Sequence, residues 1–294
     1  MKKTGWITNS ISTTKWLSDS SVWLLAIFAV FFAIYANLVS KANDGSLMGS
    51  SLLYLIAISS MLWSKRRTLN LKCGQFGTLI GLIVLFLVLL KSAFMQGYDP
   101  FLRVMPLLSG IGLCFLASGI FGLNQYLQEL VILSFLVPPP SVIARVIDST
   151  LLTAKFSTAL LWYTGFDVTR EGLFILTPNG GVEVYAGCSG IDTMLHLLGL
   201  SVLFLMLFPT ARVQKAMLPI FSLLVAFVVN GIRVSIMAIL STPTTKSSFE
   251  YWHKGDGSLL FSLLGVAVLG VYCFFVSGQS DIYSETPELG ELEE

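Results

Sequence analysis

Long apolar runs separated by short polar breaks organise the chain. The runs cover Val22–Val39, Leu47–Trp63, Phe76–Leu90 and Val104–Phe121, then a shorter Leu127–Val137, then Ile191–Phe208, Met217–Leu240 and Ser258–Val276. A helix that crosses a bilayer needs roughly 20 mainly apolar residues. The pattern therefore predicts an all-α polytopic membrane protein with about eight transmembrane helices. The shorter run stops at Pro138-Pro139-Pro140, through which no helix continues, and is counted as the fifth span. The first run is long and lacks a small-residue cleavage site, so it reads as a span and not as a signal peptide.

One large piece, Ser141–Gly187, interrupts the runs. Within it, Val142, Val146, Ile147, Leu151 and Leu152 fall near helical spacing, interleaved with Arg145, Asp148 and Lys155. Val142–Tyr163 is thus expected as an interfacial amphipathic helix. A ninth span through Leu151–Phe166 is the alternative, and it would invert everything downstream. Next come Gly172–Thr177 and Val182–Tyr185, two β-prone runs separated by Pro178-Asn179-Gly180-Gly181. Asn-Gly between such runs is a strong hairpin signal. The hairpin leads straight into Gly187-Cys188-Ser189-Gly190.

Composition agrees with a bilayer as solvent. Of 294 residues 54% are hydrophobic and 12% charged, and the mean hydropathy is +0.78. A soluble domain carries about 25% charged residues. That excludes a cytosolic enzyme or a disordered chain. A net charge of +1 is too even for binding nucleic acid. Four cysteines are too few and too scattered for a disulfide framework. Lys65, Arg66, Arg67 and Lys72 form the densest basic cluster and mark their loop as cytoplasmic. Lys2, Lys3, Lys15, Arg212 and Lys215 then lie inside too. Lys41, Lys91, Arg103, Arg145, Lys155, Arg170, Lys246 and Lys254 lie outside, spread over longer segments. Both termini are expected inside, the acidic tail 279–294 as a solvated end, and Ser141–Gly187 faces outward.

This sidedness sorts the chemistry-bearing residues. Cys73 falls inside, and Cys114 and Cys273 fall within spans as apolar filler. Only Cys188 is outward, flanked by glycines and immediately before a membrane helix whose N-terminus favours thiolate. A nucleophile and a simple turn cysteine are both open readings of it. His253 shares its compartment, whereas His196 reads as a packing histidine two turns into the sixth span. Arg233 is the costliest residue, at about 3 kcal/mol for an arginine at the centre of a span. It stands seven residues before Leu240, about 10 Å from the outer end at 1.5 Å per residue. Asn230, one turn earlier, could orient it; snorkelling or a pair with a buried acid such as Asp192 is the plainer reading. A thiolate nucleophile needs a proton carrier and a cation for the oxyanion, and an imidazole and a guanidinium supply them. No HExxH, GxSxG, Walker loop or CxxC is present, and the residues call for no metal and no cofactor.

Gly187-Cys188-Ser189-Gly190, then Asn230-x-x-Arg233, then His253-x-x-x-Gly257 resemble the exosortase/archaeosortase family in content and order. The likeness extends to the proline stop, the amphipathic stretch and the hairpin, over roughly Leu130–Val276. Cys-Ser-Gly-Ile-Asp is similar to the cyanoexosortase branch, although Asp192 stands where many members have a basic or neutral polar residue. The resemblance implies N-terminal transmembrane helices over 1–129, a catalytic membrane region over 130–278 and a cytoplasmic tail over 279–294. It further implies a multi-pass protein of the plasma (inner) membrane with its site on the extracytoplasmic face. Its partners would be the bilayer and membrane-anchored proteins bearing a C-terminal sorting signal of Pro-Glu-Pro (PEP-CTERM) type. By resemblance Cys188 is the nucleophile, Arg233 the transition-state stabiliser and His253 the acid/base, with Asn230, Ser189, Gly190 and Gly257 in support. The enzyme implied is a cysteine protease or transpeptidase that passes a thioester to an acceptor amine or to water. A multipass transporter lined by Arg233 and His196 and a membrane acyl or lipid transferase using the same cysteine are the rival readings.

Overall fold

The computed structural model describes residues 20–253 and 256–284. The expectations for Lys2, Lys3, Lys15 and Lys254, and for residues 285–294 of the tail, lie outside the described residues. By contact the chain divides into two compact units, Met1–Leu136 and Val137–Glu294.

The first unit holds α1 (Ser20–Ala42), α2 (Gly45–Lys65), α3 (Gln75–Ala93), α4 (Phe101–Ser118) and the short α5 (Leu127–Ser134). Asp44 caps α2, its carboxylate accepting from the Leu47 N–H at 3.0 Å. Helices α3 and α4 approach closely through glycines: a Cβ on Gly77 would lie 2.6 Å from the Gly119 Cα, and one on Gly81 2.9 Å from the Gly112 carbonyl. Small residues at such seams are how helices pack where lipid is the solvent. Lys65, at the end of α2, pairs with the buried Glu129 of α5 at 2.9 Å.

The expected fifth span is corrected here. Helix α5 has 8 residues, about 12 Å of rise, against a hydrocarbon core of about 30 Å. It stops at Ser134, short of the prolines, and Pro140 then opens α6 (Pro140–Val146), with proline in its first turn. Among the described residues six helices are long and apolar enough to cross a membrane, and the last helix adds a shorter apolar stretch, Leu260–Val276.

The second unit follows α6 with α7 (Thr150–Tyr163), a sheet of β1 (Thr169–Glu171), β2 (Phe174–Thr177) and β3 (Gly180–Glu183), then α8 (Ile191–Leu207), α9 (Arg212–Ile239), α10 (Lys246–His253) and α11 (Asp256–Ser284). Helix α11 runs past Gln279, so the first residues of the expected tail continue the last helix. Helices α7, α8 and α11 all pack on α9, which is why α9 buries Ser222, Ala226, Asn230 and Val234 along its length.

The amphipathic stretch is two helices, and α7 reverses the polarity usual in water. Its buried face is small and hydroxylated over the first turns (Thr150, Thr153, Ala154, Ser157) and ends on Leu161, while Leu151, Leu152 and Trp162 are exposed. Ser157 donates to the Gly231 carbonyl at 2.9 Å, and Ser235 donates back to the Ser157 carbonyl at 3.3 Å. These hydroxyls satisfy carbonyls at a helix seam, and the apolar side chains are left for lipid.

The sheet is antiparallel in the order β1-β2-β3, one strand more than the expected hairpin. Thr177 pairs with Gly180, so the two-residue turn is Pro178-Asn179 and not Asn179-Gly180. Gly180 is needed for a different reason: a Cβ there would stand 1.8 Å from the Ser241 carbonyl oxygen. The glycine lets the hairpin lie against the end of α9. Inward-facing Ile175 and Val182 of the sheet, with Val184 just past β3, then share a core with Ala154, Met237 and Ala238, and this core fixes where the chain leaves β3 for the cysteine.

Candidate functional site

Cys188 closes a single 3₁₀ turn, Ala186–Cys188, ahead of α8. The turn is made by the Cys188 N–H donating to the Tyr185 carbonyl at 2.8 Å. It puts the side chains of Tyr185 and Cys188 on the same side. Gly190 caps α8 at φ +87°, in the left-handed region that glycine occupies without strain. A Cβ at that position would also lie 2.8 Å from the Asn230 amide.

Side chains from two helices and the segment before α7 hold this turn by its carbonyls. Asn230, 3% exposed on α9, donates from Nδ2 to the Cys188 carbonyl at 2.9 Å. Ser149 and Thr153 both donate to the Ser189 carbonyl, at 3.1 and 3.0 Å. Asn230 thus orients the cysteine's own peptide and not Arg233, as the sequence had suggested. The Ser189 hydroxyl turns back to the Ala186 carbonyl at 2.7 Å. Ser149 and Thr153 escape a sequence reading because hydroxyls on a membrane helix are common seam residues.

One turn beyond Asn230, Arg233 reaches the last turn of α10. Its Nε donates to the Trp252 carbonyl at 3.3 Å and its Nη2 to the His253 carbonyl at 2.7 Å. A cation at a helix C-terminus meets the negative end of the helix dipole and the carbonyls that lack helical partners. The guanidinium therefore fixes the residue that carries the imidazole. It does not pair with Asp192, which lies 3.4 Å from His196 one turn on. Gly257 is buried under α10: a Cβ would stand 2.6 Å from the Tyr251 ring and 2.7 Å from the Trp252 ring.

His253 Nε2 lies 3.8 Å from the Cys188 sulfur and 2.9 Å from the Tyr185 hydroxyl. The imidazole stands edge-on to the Tyr185 ring, centroids 6.0 Å apart, and tilted against Phe249 at 5.3 Å. Cys188 is 2% exposed and Tyr185 46% exposed. Burial pushes the Tyr185 phenol above its ordinary value, and the adjacent Cys188 adds to this while Arg233 opposes it. The phenol is therefore a proton donor throughout the neutral range.

Cys188, Arg233 and His253 thus meet in one cluster within the second unit, with Asn230, Ser189, Gly190 and Gly257 around it. Cys273 is buried in a separate core with Leu197 and Leu269. Cys73 donates to the Phe115 carbonyl at 3.0 Å in the first unit. Among the described residues no group of three or more His, Cys, Asp or Glu could hold a metal ion.

Fold and site together define a class: a polytopic membrane protein that carries a thiol–imidazole pair where one helix begins, braced by an arginine from the neighbouring helix. The chain matches the transmembrane exosortase family over residues 42–270 and belongs to that family. It is also similar to a "Probable archaeosortase E" of Methanocaldococcus jannaschii, 29% identical over 97 residues. That match covers 33% of this chain and spans half the length of the relative. No solved structure matches.

Proposed function

We propose that this chain is a membrane-embedded cysteine transpeptidase or protease that cleaves C-terminal sorting signals of exported proteins. The observation that carries the reading is the Cys188–His253 pair, 3.8 Å apart, with Arg233 bound to the backbone of the imidazole's own residue. Family membership supports a sorting and processing role in the membrane. The relative's name points the same way.

The reaction proposed begins with the Cys188 sulfur attacking the scissile carbonyl while its proton passes to His253. Arg233 spends Nε and one Nη2 hydrogen on carbonyls; its remaining N–H groups are donors for the oxyanion that forms. The imidazolium returns the proton to the leaving amine as the C–N bond breaks. A thioester remains, to be taken by an acceptor amine or by water. The substrate's own membrane helix would enter from the bilayer and present its Pro-Glu-Pro-type segment at the helix end where Cys188 lies.

The proposed face is extracytoplasmic. Arg212 and Lys215 stand at the opposite end of α9 from Arg233, and basic residues next to spans favour the cytoplasmic side. Span counting alone, with α5 no longer a span, argues the other way; charge next to α9 itself is the more direct indicator.

The test is cleavage of a co-expressed tagged protein with a Pro-Glu-Pro-type C-terminal signal. Wild type is expected to shorten it, and Cys188→Ala and Cys188→Ser to leave it intact at equal membrane levels. Cleavage by either variant at the wild-type rate removes the thiol from the mechanism.

A further inference from the structure

With its proton on Nδ1, His253 presents a single lone pair at Nε2, and among the described residues two side-chain donors face that atom. The Tyr185 hydroxyl is at 2.9 Å and the Cys188 thiol at 3.8 Å. An O–H is the stronger donor and lies at an ordinary hydrogen-bond length, whereas S–H is a weak donor. The lone pair belongs to the phenol. Tyr185 and Cys188 also stand on the same side of one turn, and the phenol and thiol influence each other's ionisation, so the phenol lies beside both members of the pair.

The geometry points to Tyr185 as a further catalytic residue, a proton bridge between the Cys188 thiol and the His253 imidazole. The inference rests on the reading of Cys188 as nucleophile. At rest the phenol O–H donates to Nε2 of a neutral imidazole. On activation the thiol proton moves to the phenol oxygen and the phenol's own proton moves to Nε2. The S–H bond and the original O–H bond break, and a new O–H and an Nε2–H form. The products are a thiolate, a neutral phenol and an imidazolium, with Nε2–H now donating to the phenol oxygen and the phenol O–H to sulfur. When the tetrahedral intermediate collapses the C–N bond breaks and its electron pair goes to nitrogen. The phenol then passes its proton to that nitrogen and recovers one from Nε2. The same contacts serve in both directions.

Local structure keeps the bridge in place. Tyr185 and Cys188 are the ends of one 3₁₀ turn, and Gly187 between them leaves room for the ring. A Cβ on Gly187 would lie 2.6 Å from the Tyr185 Cε2 and 3.3 Å from its hydroxyl oxygen. Phe249 supports the imidazole at 5.3 Å.

Two readouts on the full-length protein in membranes test the bridge. The first is kcat and KM for the tagged Pro-Glu-Pro substrate. The second is the rate at which iodoacetamide alkylates Cys188 at pH 7, in a chain whose other cysteines are replaced. Tyr185→Phe, which keeps the ring, is expected to lower kcat about 10²-fold with KM unchanged, the scale of a general acid–base contribution. Alkylation should slow with it, since thiolate formation loses its carrier. Gly187→Ala, which displaces the ring, should lower kcat in the wild-type background and add nothing in Tyr185→Phe, a non-additivity that merely structural roles would not produce. Wild-type kcat and alkylation in Tyr185→Phe, or additive losses in the double variant, overturn the bridge. If Cys188→Ala is inactive in those same experiments, the nucleophile stands without it; if Cys188→Ala is active, the underlying reading has failed.

Discussion

The amide of Asn230 donates to the main-chain carbonyl of Cys188 at 2.9 Å, joining the middle of α9 to the turn before α8. Both residues are buried, so water cannot replace the lost donor. Asn230→Ala should leave the Cys188 carbonyl unsatisfied, at about 1–3 kcal/mol, and free the turn that aims the thiol. The expected outcome is a lower thermal midpoint in detergent together with slower Cys188 alkylation. An unchanged midpoint with unchanged alkylation would show that the turn holds without α9.

Arg233→Lys keeps the charge and loses the fork. A lysine ammonium is a compact point charge and cannot reach both the Trp252 and His253 carbonyls in one plane with a donor left over for substrate. Cleavage should fall by about 10²-fold or more, the scale for loss of an oxyanion donor, and Arg233→Gln should be no better. The check is kcat in the tagged-substrate assay at matched membrane levels. A lysine variant within a few-fold of wild type would mean that charge alone is what the site uses.

The spans were legible because a bilayer imposes length and hydropathy together, and Cys188, Arg233 and His253 were legible because each is an unusual residue for its place in an apolar chain. Three features escaped for physical reasons. Leu127–Val137 has the hydropathy of a span, and only the tertiary packing of Glu129 on Lys65 and the proline start of α6 show that it stops after two turns. Helix α7 misleads because periodicity reveals an apolar face without saying whether protein or lipid covers it, and here Ser157 and Thr153 face the protein. Tyr185 reads as an ordinary β-former at a strand end. Its significance needs the position of His253, which stands 68 residues away in sequence.

Gly180 sets the height of the hairpin over α9. Gly180→Ala would drive a methyl group into the Ser241 carbonyl, at 1.8 Å, and backbone on both sides must move. Overpacking of this kind costs about 1–3 kcal/mol. The hairpin leads into Tyr185, so cleavage should fall along with stability. Gly270→Ala, with nothing within 4 Å of the new methyl, is the control: it should leave cleavage unchanged and, as an alanine in a helix interior, hold or raise stability by up to about 1 kcal/mol. Equal thermal midpoints for the two variants would mean that the hairpin does not bear on α9 as described.

The raised Tyr185 phenol makes a prediction about alkaline pH. Burial favours the protonated phenol in the folded protein, so between the ordinary value of about 10 and the raised one the folded state holds more protons than the unfolded chain. Stability must then fall as pH rises across that interval, and the contribution is fully present at neutral pH. Among the described residues, the charged and titratable groups facing the phenol are Arg233, His253 and Cys188. The thiol titrates nearby and is best removed, so the comparison is Cys188→Ala with and without Tyr185→Phe. Thermal midpoints from pH 8 to pH 11 should drop more steeply with the tyrosine present, since phenylalanine has no proton to lose. Parallel curves would mean that the phenol ionises as freely in the folded protein as in the unfolded chain, and that it is not held as a protonated donor between Cys188 and His253.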